Sequence, residues 1–463
     1  MMQKNILSSS ANYLSEFLPI FKNVFPVCAA IGLAALIGLV DVHLAGNLGA
    51  AVQAGVGIGD QALFFAALLG TGIAQACGSL IARARGAKES VQAAKFATAG
   101  LILATLLGAA ASIIAFVFAE QFLTLFSNDA AVRNAGSLYL KLCSIANVPY
   151  CLLLTQSAIL RASAKSFSTV FPWFIAATIS IAFSISLPNL MPDGRVHTLE
   201  YIALAWNLGA YTAVSFGHAE MRRTGFDFFN QNFDMRSICL SMKQILALGL
   251  PIALTEAAWL GSNFFIYLIL AQMPSANDAQ AAWTIRLKIE ELAATPLILA
   301  TSMTAATQVG QLVGEGSIAK AAQTADKIAI FAATLMLVLG MLICFNSDVL
   351  AGNHATTQES AKLSQLLLSA SILFYPLSAF YITAFGALEG AGSTLKPMFA
   401  VVCGLFLLRI PLAAFLALHM QMGMTGLLIA IVISHIAVAL SAVSQLRSFF
   451  GYTLNMRQQE LRI

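Results

Sequence analysis

Charge is scarce in this sequence. Only 10% of its 463 residues are Asp, Glu, Lys or Arg, against about 25% in a typical soluble domain. With 59% of residues hydrophobic, that argues against a solvated globular enzyme. Catalytic punctuation is missing as well. There is no HExxH, no GxSxG, no paired-aspartate motif and no Walker sequence, so neither a membrane-embedded hydrolase nor an ATP-driven pump is indicated. The seven cysteines (28, 77, 143, 151, 239, 344 and 403) form no CxxC and mostly sit inside apolar runs. They read as small hydrophobic packers, not as disulfides or metal ligands. The six histidines show no ligand spacing, so no metal or organic cofactor is expected. No basic arm or aromatic-interleaved patch suggests nucleic acid. No cleavable signal with a small-residue site precedes the first apolar run.

What the chain has is length and apolar blocks. Hydrophobic runs of membrane-spanning length fall at residues 18–45, 52–82, 92–119, 134–161, 166–190, 198–219, 243–272, 277–312, 320–346, 361–388, 396–419 and 422–448. Inside lipid only helices and closed barrels satisfy the backbone, and these runs are too long for barrel strands. The reading is an all-α polytopic membrane protein with twelve transmembrane helices. Basic residues set its orientation. Eighteen, among them Arg83, Arg85, Lys88, Arg161, Lys165, Arg222, Arg223 and Arg462, fall in the loops and termini of one side. Only Arg133, Arg195 and Lys362 fall on the other. Basic loops mark the cytoplasmic side, so both termini are expected inside.

The halves look alike. Gly86, in Ala84-Arg85-Gly86-Ala87-Lys88, and Gly314, in Gly310-Gln311-Leu312-Val313-Gly314, stand 228 positions apart. So do Arg161 and Glu389 in the turns after the fourth and tenth helices. Two landmarks at one offset indicate an internal repeat of two six-helix bundles, residues 1–221 and 244–463, joined by a polar cytoplasmic linker at 222–243. Such paired bundles commonly work by alternating access.

Ionisable groups inside lipid cost several kcal/mol each, so each needs a reason. Asp41 follows the apolar stretch Val24 to Val40. Two readings stand: a carboxylate that exchanges a proton or holds sodium, or one that caps a helix end facing water. Glu256, five residues after Pro251, has no basic neighbour in sequence. It is either an ion-coupling acid or a protonated partner of a neighbouring helix. Asp60 either attracts cations or makes an interhelical hydrogen bond. Arg286 and Glu290 lie four apart on one helical face and can pair; the expectation is an internal ion-pair network or a cavity wall. Lys141 and Arg409 can snorkel or pair and carry no assigned role. A polyspecific binding surface needs aromatic faces and few fixed charges, which makes Phe64, Phe65, Tyr139, Trp259 and Phe265 candidates, with Gln61 and Gln156 as polar contacts.

Val40-Asp41-Val42-His43-Leu44-Ala45-Gly46, Gly249-Leu250-Pro251-Ile252, Glu256 and Val309-Gly310-Gln311-Leu312-Val313-Gly314, in that order and spacing, resemble the multidrug and toxic compound extrusion (MATE) family. The resemblance spans nearly the whole chain. It implies a secondary antiporter of the bacterial inner membrane that exports cationic or amphipathic small molecules, acts as a monomer and catalyses no chemical reaction. It also implies coupling roles for Asp41 and Glu256 and a proline hinge at Pro26, fifteen residues before Asp41. The sequence departs from the pattern in two places. Relatives carry an asparagine and an aspartate in helix five, where this chain reads Ala176-Ala177-Thr178-Ile179-Ser180-Ile181-Ala182-Phe183-Ser184. Sodium-dependent relatives carry a helix-ten aspartate, where it reads Phe374-Tyr375-Pro376-Leu377-Ser378-Ala379. A lone carboxylate can carry a proton without a cage of oxygens, so the expected coupling ion is the proton. The alternatives are sodium coupling, with Asn207 supplying an oxygen near Asp41 and Tyr375 one near Glu256, and a flippase for a lipid-linked precursor from the same superfamily.

Overall fold

The computed structural model describes residues 2–163, 166–190, 197–223, 233–355 and 357–460. Lys165, Arg195, Arg462 and the middle of the linker, 224–232, lie outside them. Every regular element among the described residues is helical. The first half runs α1 (Met2–Gly46), α2 (Ala50–Gly86), α3 (Ser90–Val117), α4 (Ala119–Phe126), α5 (Ala130–Ser144), α6 (Asn147–Ala162), α7 (Val170–Leu190) and α8 (Thr198–Arg223). The second runs α9 (Met235–Leu270), α10 (Ala276–Ile289), α11 (Thr295–Gly314), α12 (Ile318–Phe345), α13 (Ser347–His354), α14 (Gln358–Ser369), α15 (Ser371–Ala391), α16 (Leu395–Val402), α17 (Ile410–Ala414) and α18 (Gly423–Glu460). Three π-helical stretches, Glu290–Ala294, Cys403–Arg409 and Phe415–His419, interrupt the second half.

Ten helical stretches are long and apolar enough to cross a bilayer, and α5 with α6 forms an eleventh bent by 53°. The twelfth is α8, whose 26 residues suffice in length but are diluted by Tyr201, Trp206, Asn207 and Tyr211. The chain thus has twelve transmembrane helices, six in each half. Large apolar side chains such as Ile113, Leu407 and Leu440 point outward, as a lipid-facing surface requires.

Two expected straight helices are broken. Residues 134–161 divide at Ile145–Ala146 because Pro149 has no N–H to give the Ile145 carbonyl. Side chains take up the freed backbone: the Ser112 hydroxyl donates to Ser144 O at 2.6 Å and the Tyr211 hydroxyl approaches Ile145 O at 3.5 Å. Residues 361–388 divide at Ala370, where the Ser371 hydroxyl donates to Leu368 O at 2.6 Å.

The repeat shows in several of the helix bounds. Moving α3 and α4 forward by 228 positions reproduces the bounds of α12 and α13, and the last residue of α2 lands on the last of α11. The chain divides into two compact units, Ala29–Ala253 and Leu254–Ile463, the latter joined by Met1–Cys28. The division cuts α1 and α9 internally, in each case two residues after a helix-interior proline, Pro26 and Pro251.

Glycines set the spacing within each unit. A Cβ on Gly55 of α2 would stand 2.6 Å from Val132 O, and one on Gly136 of α5 would stand 2.7 Å from Gly55 O. Gly59, one turn on, faces the Tyr139 ring at 3.0 Å from the same construction. Small residues four apart let helix backbones approach closely in lipid, and here they press α2 against α5. In the other unit Gly386 and Gly390 of α15 seat against Ser302 and Ala306 of α11 with no room for a Cβ.

Candidate functional site

The first unit assembles an acidic site from five helices. Asp41, on α1, is 4% exposed. Its carboxylate faces the Asp60 carboxylate of α2, the Tyr139 phenol of α5 and the Ser184 hydroxyl of α7. Asp60 is held there by backbone geometry. Its carboxylate oxygens lie 3.8 and 3.9 Å from the position a Cβ would take on Gly38, one helical turn before Asp41. The Gly55–Gly136 contact brings Tyr139 into range. Gly209 of α8 packs on α7, 2.8 Å from Ala176 O by the same measure, which fixes Asn207 near the rest. Asn207 donates through Nδ2 to Leu142 O at 3.0 Å and Ala203 O at 2.8 Å. Its Oδ1 is buried without a hydrogen bond among the described residues. Two carboxylates, a phenol and a hydroxyl therefore meet inside the membrane, an arrangement suited to a proton or a small cation.

The structure brings Asp60 and Tyr139, expected as cargo contacts, to Asp41, and Asn207 bonds to the backbone of α5 close to Tyr139. Ser184 was visible only as a position where an acid was missing; its spacing on an apolar helix gives no other signal. Gln156 is 2% exposed and donates to Val214 O at 3.2 Å across the α6–α8 contact, so it holds helices together. Gln61, Phe64 and Phe65 lie on the exposed face of α2. Trp259 is half-buried, while Phe265 is exposed and meets Phe264 and Phe406 edge-on at centroid distances of 6.0 and 5.8 Å. Pro26 is buried in the interior of α1. Lys141 pairs with Glu120 at 2.6 Å on the surface. The Lys141 ammonium, by hydrogen bond first and charge second, holds the Glu120 carboxyl below the usual carboxylate range.

The second unit centres its polar chemistry elsewhere than the sequence indicates. Glu256 is half-buried on α9. Tyr375 is fully buried and faces the charged groups Glu290 and Arg286. Arg286 and Glu290 form a buried ion pair. The Arg286 guanidinium lies over the Trp283 ring at 4.4 Å and the Phe374 ring at 4.8 Å. Arg409, 4% exposed, donates through Nε to the Ser434 hydroxyl at 2.8 Å and through a terminal nitrogen to His435 Nε2 at 3.2 Å. His435 stacks on Phe374 and Tyr381. Sequence spacing alone could not join residues 286, 409 and 435, which lie on three separate helices.

The MatE family profile matches residues 26–185 and 251–415, so each matched segment begins at or beside one of the two helix-interior prolines. The chain is 24% identical over 410 residues to the probable multidrug resistance protein NorM of Rhodopseudomonas palustris, covering 86% of this chain and 85% of that one. It is 21% identical over 418 residues to the like-named protein of Thermotoga maritima, covering 88% and 87%. Among solved structures, the eukaryotic MATE transporter AtDTX14 superposes with a TM-score of 0.83 at 17% identity, covering 95% of this chain and 99% of that one. The Vibrio cholerae MATE transporter VcmN in its bent form superposes with a TM-score of 0.83 at 16% identity, covering 95% and 98%. With more than half its length matched by the family profile, this chain belongs to the MATE family of transporters.

Proposed function

We propose that this chain is a proton-coupled antiporter that expels cationic or amphipathic small molecules across a bacterial inner membrane, with both termini in the cytoplasm. The observation that carries the reading is the burial of Asp41 beside Asp60, Tyr139 and Ser184 within a membrane helix. A carboxylate taken out of water and facing a second carboxylate favours its protonated form. A proton or a cationic cargo relieves the repulsion, and the two compete for the same charge. That competition is the minimum requirement for exchange transport. Glu256 is the second coupling acid in this reading. Pro26 and Pro251 are the hinges, because each leaves one helical carbonyl without its donor close to where α1 and α9 pass from one unit to the other. The aromatic residues Phe64, Phe65, Trp259 and Phe265 offer faces to planar cations. The cargo leaves chemically unchanged, and one chain suffices.

Sodium coupling has one observation in its favour: the Ser184 hydroxyl beside Asp41 and Asn207 Oδ1, buried without a hydrogen bond among the described residues, are oxygens of the kind a sodium ion collects. Efflux of ethidium from inverted vesicles, driven by an imposed proton or sodium gradient, separates the readings. Proton-driven efflux in the native protein and its loss in Asp41→Asn support the proposal. Efflux driven by sodium alone would replace the proton, and full activity in both Asp41→Asn and Glu256→Gln would overturn the coupling sites.

A further inference from the structure

The cluster around Arg286 and Arg409 has an excess of donors. Its formal charges are two guanidinium groups and one carboxylate, Glu290, which leaves one positive charge uncompensated. Arg409, Arg286 and Glu290 lie within electrostatic reach of one another, and His435 faces both arginines. His435 adds no charge here. Arginine has no acceptor, so His435 Nε2 must accept from Arg409, which places the ring proton on Nδ1. That Nδ1–H has no acceptor among the described residues. Neither do the Arg286 Nε–H, the Trp283 Nε1–H and the Tyr375 hydroxyl, all on side chains no more than 5% exposed. Buried donors without acceptors, next to an unbalanced buried charge, are costly in a low-dielectric interior. One added acceptor bearing one negative charge resolves both deficits.

The local backbone is unusual at the same place. Glu290 opens one π-helical stretch and Arg409 closes another. Single-turn π-helical insertions are rare and concentrate at functional sites. Each displaces the following residues around the helix axis. Here the two stretches carry the carboxylate and one of the two guanidinium groups of the cluster, on helices far apart in sequence.

We propose that the second unit binds one small monovalent anion, a halide or a carboxylate group, at the Arg286–Arg409 cluster, with Trp283 and Tyr375 donating to it. The shape of the donor set argues for a single charge: Glu290 already neutralises one guanidinium, so a divalent oxyanion would leave the site negative.

The site can be tested without transport, so its failure and the failure of the exporter reading are separable. Bromide quenches indole fluorescence and serves as the probe. Purified full-length protein in detergent, with a bulky sulfonate as the only other anion, is titrated with bromide. A saturable quenching component is expected in the native protein and should disappear in Trp283→Phe, leaving only linear collisional quenching. Arg409→Gln should raise half-saturation by about tenfold or more. Tyr375→Phe keeps every charge and should raise it severalfold, which preserves the test should Arg409→Gln fail to fold. Displacement of bromide by chloride alone assigns the site to halides. Displacement by acetate as well extends it to carboxylate-bearing molecules. Linear quenching in the native protein, or a saturable component that survives unchanged in both Trp283→Phe and Tyr375→Phe, would overturn the proposal.

Discussion

The two units share part of one helical frame but build different polar clusters on it, one acidic around Asp41 and the other centred on Arg286 and Arg409. The bounds of α3 and α4 recur in α12 and α13 at an offset of 228 positions, yet the first unit sets a buried Asp41 beside Asp60 and the second encloses Arg286, Arg409 and Glu290. The functional positions do not correspond. At the same offset Asp41 meets Ile269, Asp60 meets Lys288, Arg286 meets Ile58 and Arg409 meets Ile181. Asn207 and His435 are polar residues at equivalent places. Helix packing by glycine and proline defines the scaffold, and a handful of side chains on it decide what each half does.

The largest expected effect comes from removing the charge on one side of that comparison. Asp41→Asn should abolish proton-driven ethidium efflux, a loss of well over tenfold, while leaving bromide binding in the second unit intact. Next comes Glu290→Gln, which leaves Arg286 buried and unpaired. Breaking a buried pair from one side costs about 3 kcal/mol, read as a lowered thermal midpoint in detergent. Replacing both partners, as Arg286→Met with Glu290→Leu, should recover most of that loss. The frame itself is tested by Gly55→Ala. The new methyl would stand 2.6 Å from Val132 O, and overpacking of this kind costs about 2 kcal/mol. It should also reduce efflux, by moving Asp60 and Tyr139 apart. Ser184→Ala is milder: under proton coupling efflux falls no more than a few fold, whereas sodium coupling would lose its ion dependence altogether.

The smallest effect belongs to the Glu120–Lys141 pair on the surface. Its sign with pH is fixed, because the Glu120 carboxyl is held below its ordinary range. The folded state gains from the pair above the ordinary carboxylate pKa and loses that gain as pH falls through the lowered one. Exposure and salt screening make the gain negligible, so Glu120→Gln should leave both the thermal midpoint and efflux unchanged.

Much of this was legible in the sequence because the membrane imposes a strong constraint. Apolar runs of fixed length locate the helices, and the repeat at 228 positions appeared in two loop motifs before it appeared in the helix bounds. Asp41 stood out as a charge in an apolar run, and its neighbours Asp60, Tyr139 and Asn207 were each flagged. The breaks at Ile145 and Ala370 were missed because hydropathy averages over such short interruptions. The Arg286–Arg409 cluster was missed for a different reason. Each member reads locally as an ordinary pair or a snorkelling cation, and only the packing of α10, α15 and α18 with the π-helical stretch at Cys403–Arg409 reveals that their donors outnumber their acceptors. Ser184 carries no local signal at all: a hydroxyl on an apolar helix gains meaning only from the carboxylate it faces.

The central claim is that the acidic unit trades a proton for cargo. The most direct measurement is proton release on ethidium addition to the purified protein in weakly buffered detergent, followed with a pH indicator. The account predicts release from the native protein and from Glu290→Gln, and none from Asp41→Asn. Equal release from Asp41→Asn and the native protein would contradict it, and would move the exchangeable proton away from the first unit.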